Sequence, residues 1–359
     1  MIAPEQRSAT RPLSPPPERV FVVGGLELPP DPDDSYAVLL DQLTRRLRRV
    51  AATEVFTCGH AEAIGGSPLP RARLLSRTLA HELWRQRPDL ILYIYPPTLP
   101  ALCRARLMSF AGGGARVIMV APQPVRWRRA TRPLVRRLWP ESVLVPSPAE
   151  LEECRGVGPA ATYATGVDVA RFRPALPGEK EMLRRRWGLP EDKRVVLHVG
   201  HLVPSRNLSV LCDLASIPGL QPVVAISRFR VAESADIEAR LRRSGVVIFS
   251  GYQPHVEELY RLADCYVFPV RSPQGALAMP LSVLEALASD VPVAGTPFGV
   301  LPELFEGAPG VAFAESDADL VLAVQELLGR PVSVRRLAEP HSWDAAVAQV
   351  LEHCGFPAF

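Results

Sequence analysis

A chain of 359 residues is longer than one hydrophobic core usually organises, so two domains of about 100–200 residues each are expected. Its 47% hydrophobic content is ordinary for a globular protein, and no apolar run approaches the roughly 20 residues that cross a bilayer, which argues against a spanning helix. The net charge of +3 excludes the strongly basic and strongly acidic classes; Lys180 and Lys193 are the only lysines, and the arginine bias, with 38 prolines, fits a GC-rich genome.

Residues 1–18 are rich in Pro, Ser and Arg without the apolar core of a signal peptide, and read as a disordered tail on a cytoplasmic protein. From there short apolar runs alternate with amphipathic stretches. Strands are expected over 19–23, 54–57, 89–95, 116–120 and 142–146, with helices over 36–50 and 74–87. The segment 165–178, dense in Pro, Arg and Gly, reads as a linker. Beyond it the alternation restarts, with strands over 194–199, 222–227, 246–249, 265–269 and 291–295 and helices over 209–215, 237–243, 255–262 and 282–289. This βα order predicts an α/β fold of two open parallel sheets, each wrapped by helices, facing one another across a cleft. The division is a tail (1–18), an N-terminal domain (19–164), a C-terminal domain (165–340) and a closing helix (341–359).

Cys58, Cys103, Cys154, Cys212, Cys265 and Cys354 lie tens of residues apart, with no C-x-x-C pair and no histidine at metal-ligand spacing, so they read as reduced, mostly buried thiols. Asp31 and Asp33 form a D-x-D pattern of the kind that can hold a divalent metal, but in a Pro-rich loop it reads as a turn, and no metal is expected.

The most informative stretch runs from Gly275 to Val293, a small-residue loop entering a helix and then a buried strand. A helix start offers unpaired N–H groups and partial positive charge, which suit a pyrophosphate. Glu285, about one turn inside, is placed to accept hydrogen bonds from ribose hydroxyls. Ser282-x-x-Glu285 also fits a capping box, in which the same residues only finish the helix.

This segment resembles the second conserved block of glycosyltransferase family 4, the retaining enzymes of the GT-B fold, which consists of two facing Rossmann-like domains. Other motifs match in order: Gly166 to Pro174 resembles the interdomain signature, and Val196 to Leu208 the first phosphate-binding strand and loop. Phe249 to Gly251, Glu257 to Asp264 and Val267 to Pro269 resemble the stretch before the donor loop, and His341 to Asp344 the start of the closing helix. The resemblance covers roughly 164–354 well and the N-terminal half in outline.

The resemblance implies a metal-independent, retaining transfer from a nucleoside diphosphate sugar, UDP or GDP being the usual carriers, to an acceptor hydroxyl on a small molecule, glycan or lipid. Arg206 and His201 match the positions that hold the donor pyrophosphate. Arg206 keeps the charge as a bidentate fork; His201, with an ordinary pKa of about 6.5, is charged only if the pyrophosphate favours it. Apart from the resemblance both are ordinary solvated residues. The family's first acidic residue falls on Leu277, an apolar side chain where a carboxylate would meet the donor sugar, which suggests a deoxygenated sugar. The backbone N–H groups of Ala278, Met279 and Leu281 remain as candidates for sugar and phosphate, whereas Pro280 has none.

In the N-terminal half, Gly24 and Gly25 resemble the glycine loop after the first strand, or form a plain strand-to-helix turn. No histidine follows the strands at 89–95 and 116–120, so the acceptor side has no assigned acid or base. The segment Arg126 to Arg137, with an interleaved Trp127, reads either as a solvated helix or as a contact for an anionic acceptor or lipid headgroups at a membrane face. Nucleic acid is not an expected partner. Two other readings keep the fold: a nucleotide-sugar epimerase, and a degenerate transferase retained as a nucleotide-sugar sensor or partner subunit.

Overall fold

The chain folds into two parallel six-stranded sheets whose inner strands are buried on both faces. In this computed structural model residues 16–24, 35–57, 75–123, 126–226, 233–272 and 276–357 are described. Gly25, the Asp31–Asp33 pattern, Cys58 and Gly275 lie outside them.

The first sheet holds β1 (Arg19–Gly24), β2 (Ala52–Thr57), β3 (Leu90–Ile94), β4 (Arg116–Val120), β5 (Ser142–Val145) and β6 (Ala160–Thr162) in the order β2-β1-β3-β4-β5-β6. Side chains alternate between its faces. Phe21, Val23, Ile91 and Tyr93 pack under α2 (Arg77–Gln86), α3 (Leu99–Ala111), α4 (Arg132–Leu138) and α5 (Pro148–Cys154). Val20, Val22, Leu90 and Leu92 pack on the opposite face against α1 (Ser35–Leu47). Because both faces are covered, the strands read as continuous apolar runs.

After α6 (Glu179–Arg186), the second sheet holds β7 (Arg194–Gly200), β8 (Leu220–Ile226), β9 (Val247–Ser250), β10 (Cys265–Phe268), β11 (Val293–Gly295) and β12 (Val311–Phe313) in the order β12-β11-β10-β7-β8-β9. Its helices are α7 (Val210–Ala215), α8 (Ser234–Arg243), α9 (Val256–Leu262), α10 (Leu281–Ala288), α11 (Leu301–Phe305) and α12 (Asp317–Leu328). The predicted helix over 36–50 begins one residue earlier and ends at Leu47; that over 74–87 starts after Ser76, whose hydroxyl caps the N–H of Leu79.

The chain then returns to the first half. Helix α13 (Trp343–His353) buries Trp343, Val347, Val350 and Leu351 beside Leu43 and Leu92, each worth roughly 1.5–3 kcal/mol. Arg46 on α1 pairs with Asp344 at 2.6 Å. The segment that joins the two sheets threads past the start of α13: Val167 donates to the His341 carbonyl at 2.7 Å, and a Cβ on Gly166 would fall 2.5 Å from the Trp343 Cα. Only glycine permits that approach.

Candidate functional site

Strand β7 ends at Gly200, and the chain turns back through a short 3-10 turn, Pro204–Arg206, closed by Asn207 in the left-handed region at φ 51°. The turn delivers the Arg206 side chain against the strand end. A Cβ on Gly200 would lie 3.1 Å from Arg206 Nη1, so the bare glycine makes room for the guanidinium. Arg206 is buried, at 8% exposure, and its Nε has no hydrogen-bond partner. Among the described residues no carboxylate pairs with it, and burial lowers its pKa. A guanidinium buried without a counter-anion is costly, and an anionic ligand would relieve that cost.

His198, inside β7, shares that space. Its Nδ1 lies 2.9 Å from the Val267 carbonyl, which can only accept, so Nδ1 carries the proton and Nε2 presents a lone pair. Nε2 is buried without a partner, 3.1 Å from the same hypothetical Gly200 Cβ. Burial, then the Arg206 charge, push its pKa down to about 3, so the ring is neutral. The sequence places His198 in a matching motif but points to no role for it.

Across the cavity, α10 begins after Pro280, the N-cap residue, with φ −69° and ψ 121°. Ser282 therefore lies inside the first turn and not at its cap, and the capping-box alternative does not form. The Tyr266 hydroxyl, beside Ser282, donates to the Val199 carbonyl at 3.3 Å. The Tyr260 hydroxyl donates to Glu285 Oε2 at 2.7 Å, which orients the carboxylate and leaves Oε1 for a ligand. Burial raises the Glu285 pKa, opposed by the Tyr260 bond and by the charge of Arg171. The N–H groups of Leu281 and Ser282 precede the first intrahelical bond, that of Val283 to the Pro280 carbonyl.

One cavity collects His201, Arg206, Leu277, Leu281, Ser282 and Glu285. Ala278 and Met279 stand behind its wall. The Ala278 N–H is already used, donating to the Pro122 carbonyl of the first half at 3.2 Å, while its own carbonyl accepts from Val300 at 3.0 Å. Gly299, at φ 55°, lets the backbone close on that carbonyl, since a Cβ there would sit 2.0 Å away. Ala278 thus ties the loop in place, and of the three N–H groups considered from sequence only that of Leu281 belongs to a cavity residue. Met279 is packed in the core of the second half. Leu277, 7% exposed, gives the cavity an apolar wall.

Tyr252, Gln253 and Arg171 also line the cavity, and Val38 of α1 closes it from the first half. Arg171 pairs with Glu257 at 2.9 Å and lies over the Phe172 ring. Tyr260 and Arg171 fall in motifs the sequence singled out; only their contacts to the Glu285 region reveal what they do. Among the described residues no group of three or more His, Cys, Asp or Glu side chains is placed to hold a metal.

Comparison with known proteins fits this geometry. Residues 193–330 match the family model described as glycosyl transferases group 1. A Corynebacterium glutamicum protein named as a GDP-mannose-dependent monoacylated alpha-(1-6)-phosphatidylinositol monomannoside mannosyltransferase is 31% identical over 180 residues, 47% of this chain and 46% of the relative. A Mycobacterium tuberculosis GDP-mannose-dependent alpha-mannosyltransferase is 30% identical over 225 residues, 59% of this chain and 56% of the relative. The matches thus span about half the length of these curated relatives. The structure of Anabaena HepE in complex with UDP and glucose superposes with a TM-score of 0.67 at 16% identity, covering 94% of this chain and 99% of that one. The two-sheet architecture is the GT-B fold.

Proposed function

We propose that this chain, which belongs to the glycosyl transferases group 1 family, moves a sugar from a nucleoside diphosphate sugar to an acceptor hydroxyl with retention and without a metal. The observation that carries this reading is the buried Arg206 guanidinium, which has no carboxylate partner among the described residues and opens on a cavity shared with Glu285 and the start of α10. A diphosphate supplies the missing negative charge. Arg206 and the helix start then stabilise the charge that grows on the leaving diphosphate, with His201 on the same wall, and Glu285 holds the ribose through the oxygen that Tyr260 leaves open. The acceptor hydroxyl enters from the side of the first sheet, on the face the diphosphate leaves.

Leu277 sets the donor sugar. Its apolar side chain gives a hydroxyl no partner, so a deoxygenated sugar loses nothing there, whereas a fully hydroxylated sugar must leave a polar group unpaired or keep a water. The same residue favours a second reading, a nucleotide-sugar sensor that binds without transfer.

The test is a thermal-shift screen of the whole chain with UDP, GDP, dTDP and ADP; GDP leads because two similar proteins are named as GDP-mannose-dependent. One diphosphate should raise the melting temperature, since a ligand of the native state stabilises it. No shift with any of them would defeat both readings. A shift without turnover of any donor, over a panel of hydroxylated and deoxygenated sugars, would select the sensor.

A further inference from the structure

We propose that the outer face of helices α2, α3 and α4 docks on an anionic lipid surface. From Leu90 to Pro140 the sequence contains no Asp and no Glu, yet it contains Arg104, Arg106, Arg116, Arg126, Arg128, Arg129, Arg132, Arg136 and Arg137. A net charge of +3 spread evenly over the chain would not produce such a stretch; the charge is concentrated here. Three arginines are engaged internally: Arg104 is buried with a hydrogen bond to the Tyr93 hydroxyl, while Arg116 and Arg132 are neutralised by Glu141 at 2.8 Å and Glu153 at 3.3 Å. The remaining six are exposed, and among the described residues none of them pairs with a carboxylate.

The same face exposes large apolar side chains. Phe110 is 86% exposed, and Leu107, one turn earlier on α3, and Leu134 on α4 are also exposed; Trp84 stands on the neighbouring α2. Helices α2, α3 and α4 lie side by side on one face of the first sheet, and Arg106 of α3 donates to the Arg137 carbonyl of α4 at 3.2 Å, so the apolar and basic groups share a surface. Arginine alone would suit any polyanion. Exposed Phe, Leu and Trp among arginines suit a partner with anionic headgroups over hydrocarbon, into which the apolar side chains can sink while the guanidinium groups stay at the phosphates. The Trp127 indole N–H donates to the Pro97 carbonyl in the loop after β3, which ties the segment before α4 to the first sheet.

Sedimentation of the whole protein with vesicles tests this, comparing phosphatidylcholine alone with phosphatidylcholine mixed with phosphatidylglycerol. The protein should sediment with the anionic vesicles only. Arg136→Gln with Arg137→Gln should weaken binding about fivefold per arginine. Phe110→Ser should weaken it roughly tenfold or more. Because these side chains are exposed, the melting temperature should stay where it is, which separates lost docking from lost folding. Equal sedimentation with both vesicles, or none with either, overturns the proposal. So does binding to a double-stranded oligonucleotide in preference to vesicles that the arginine changes weaken and Phe110→Ser does not, which would assign the face to nucleic acid. The readout needs no sugar transfer, so its failure leaves the nucleotide-sugar reading untouched, and the thermal-shift screen can fail while docking holds.

Discussion

The two sheets share an architecture but differ in what they bury. Around the first sheet the buried charge is Arg104, satisfied by the Tyr93 hydroxyl at 2.6 Å and stacked near the Tyr95 ring. Around the second, Arg184 meets Asp264 at 2.5 Å, and Glu258 takes Arg186 and the Trp187 indole, each at 2.9 Å. Arg206, in the same half, has no carboxylate partner among the described residues, and its Nε has no hydrogen bond. Evolution of a stable core gives no reason to keep a bare buried guanidinium; the need for an anionic ligand does. On the proposed reading, the half that holds an unpartnered guanidinium is the half that binds the donor, and the other supplies a mostly apolar wall.

The comparison breaks most directly at Arg206. Replacing it with Met, of similar length and no charge, should cost about 10²- to 10³-fold in kcat/KM for the donor, the range seen when one stabilising donor is removed from a reacting anion. The unliganded protein should melt at the same or a higher temperature, because an uncompensated buried charge has been removed. Paired measurement of donor kinetics and melting decides it. An unliganded variant that melts well below the parent would mean that Arg206 is a structural residue, and the contrast between the halves would lose its meaning.

Glu285→Gln comes next. One charge-assisted bond to ribose is worth roughly 1.5–3 kcal/mol, so nucleotide affinity should fall about 10- to 100-fold. The carboxylate accepts both ribose hydroxyls only when ionised. Burial raises its pKa, so binding to the parent protein should weaken on acidification earlier than an exposed glutamate would cause. Titration of nucleotide affinity against pH should show that fall in the parent and a flatter line in the variant. Matching pH profiles would remove Glu285 from the site.

The alternation of β and α, and with it the fold class, was legible because strands covered on both faces must be apolar throughout. The 3-residue edge strands β6 and β12 were not, since edges carry less apolar sequence and Ala160–Thr162 offers no run at all. Helix α3 was missed for the opposite reason: Leu99, Ala101, Leu102, Cys103 and Ala105 spread small and apolar side chains around it, so no 3.6-residue period stands out. In the candidate site, Ser282 and Glu285 stood out as a helix start with a carboxylate one turn inside it, whereas Arg206 stood out only through the family resemblance. The local pattern could not separate a capping box from a ligand site, because Pro280 as N-cap residue and Tyr260 as carboxylate partner are decided by tertiary packing. His198 looked like one more residue of a buried strand, and only its unpartnered Nε2 beside Arg206 sets it apart.

The smallest expected effect lies where the halves meet. Glu150, on α5 of the first half, is half-buried, and its pKa rises to about 7, through burial first and then through the charge of Glu303 on α11 of the second half. Between about pH 4.5 and 7 the folded chain therefore holds a proton that the unfolded chain has released. Stability linked to this group is fully present below that window and is lost as pH rises through it. A tenfold difference in proton affinity between the folded and unfolded chain corresponds to about 1.4 kcal/mol, and partial exposure reduces the whole to the order of 1–2 kcal/mol. Glu150→Gln should flatten the melting temperature across the window and raise it at about pH 8, while Glu303→Gln should recover only the smaller, charge-derived part. If the parent and Glu150→Gln curves run parallel, the carboxylates have moved apart in solution, and the two halves sit further open than this arrangement has them. If they diverge as expected, the apolar half carries a strained charge of its own, and it lies at the joint facing the second half, away from the interior where Arg206 sits.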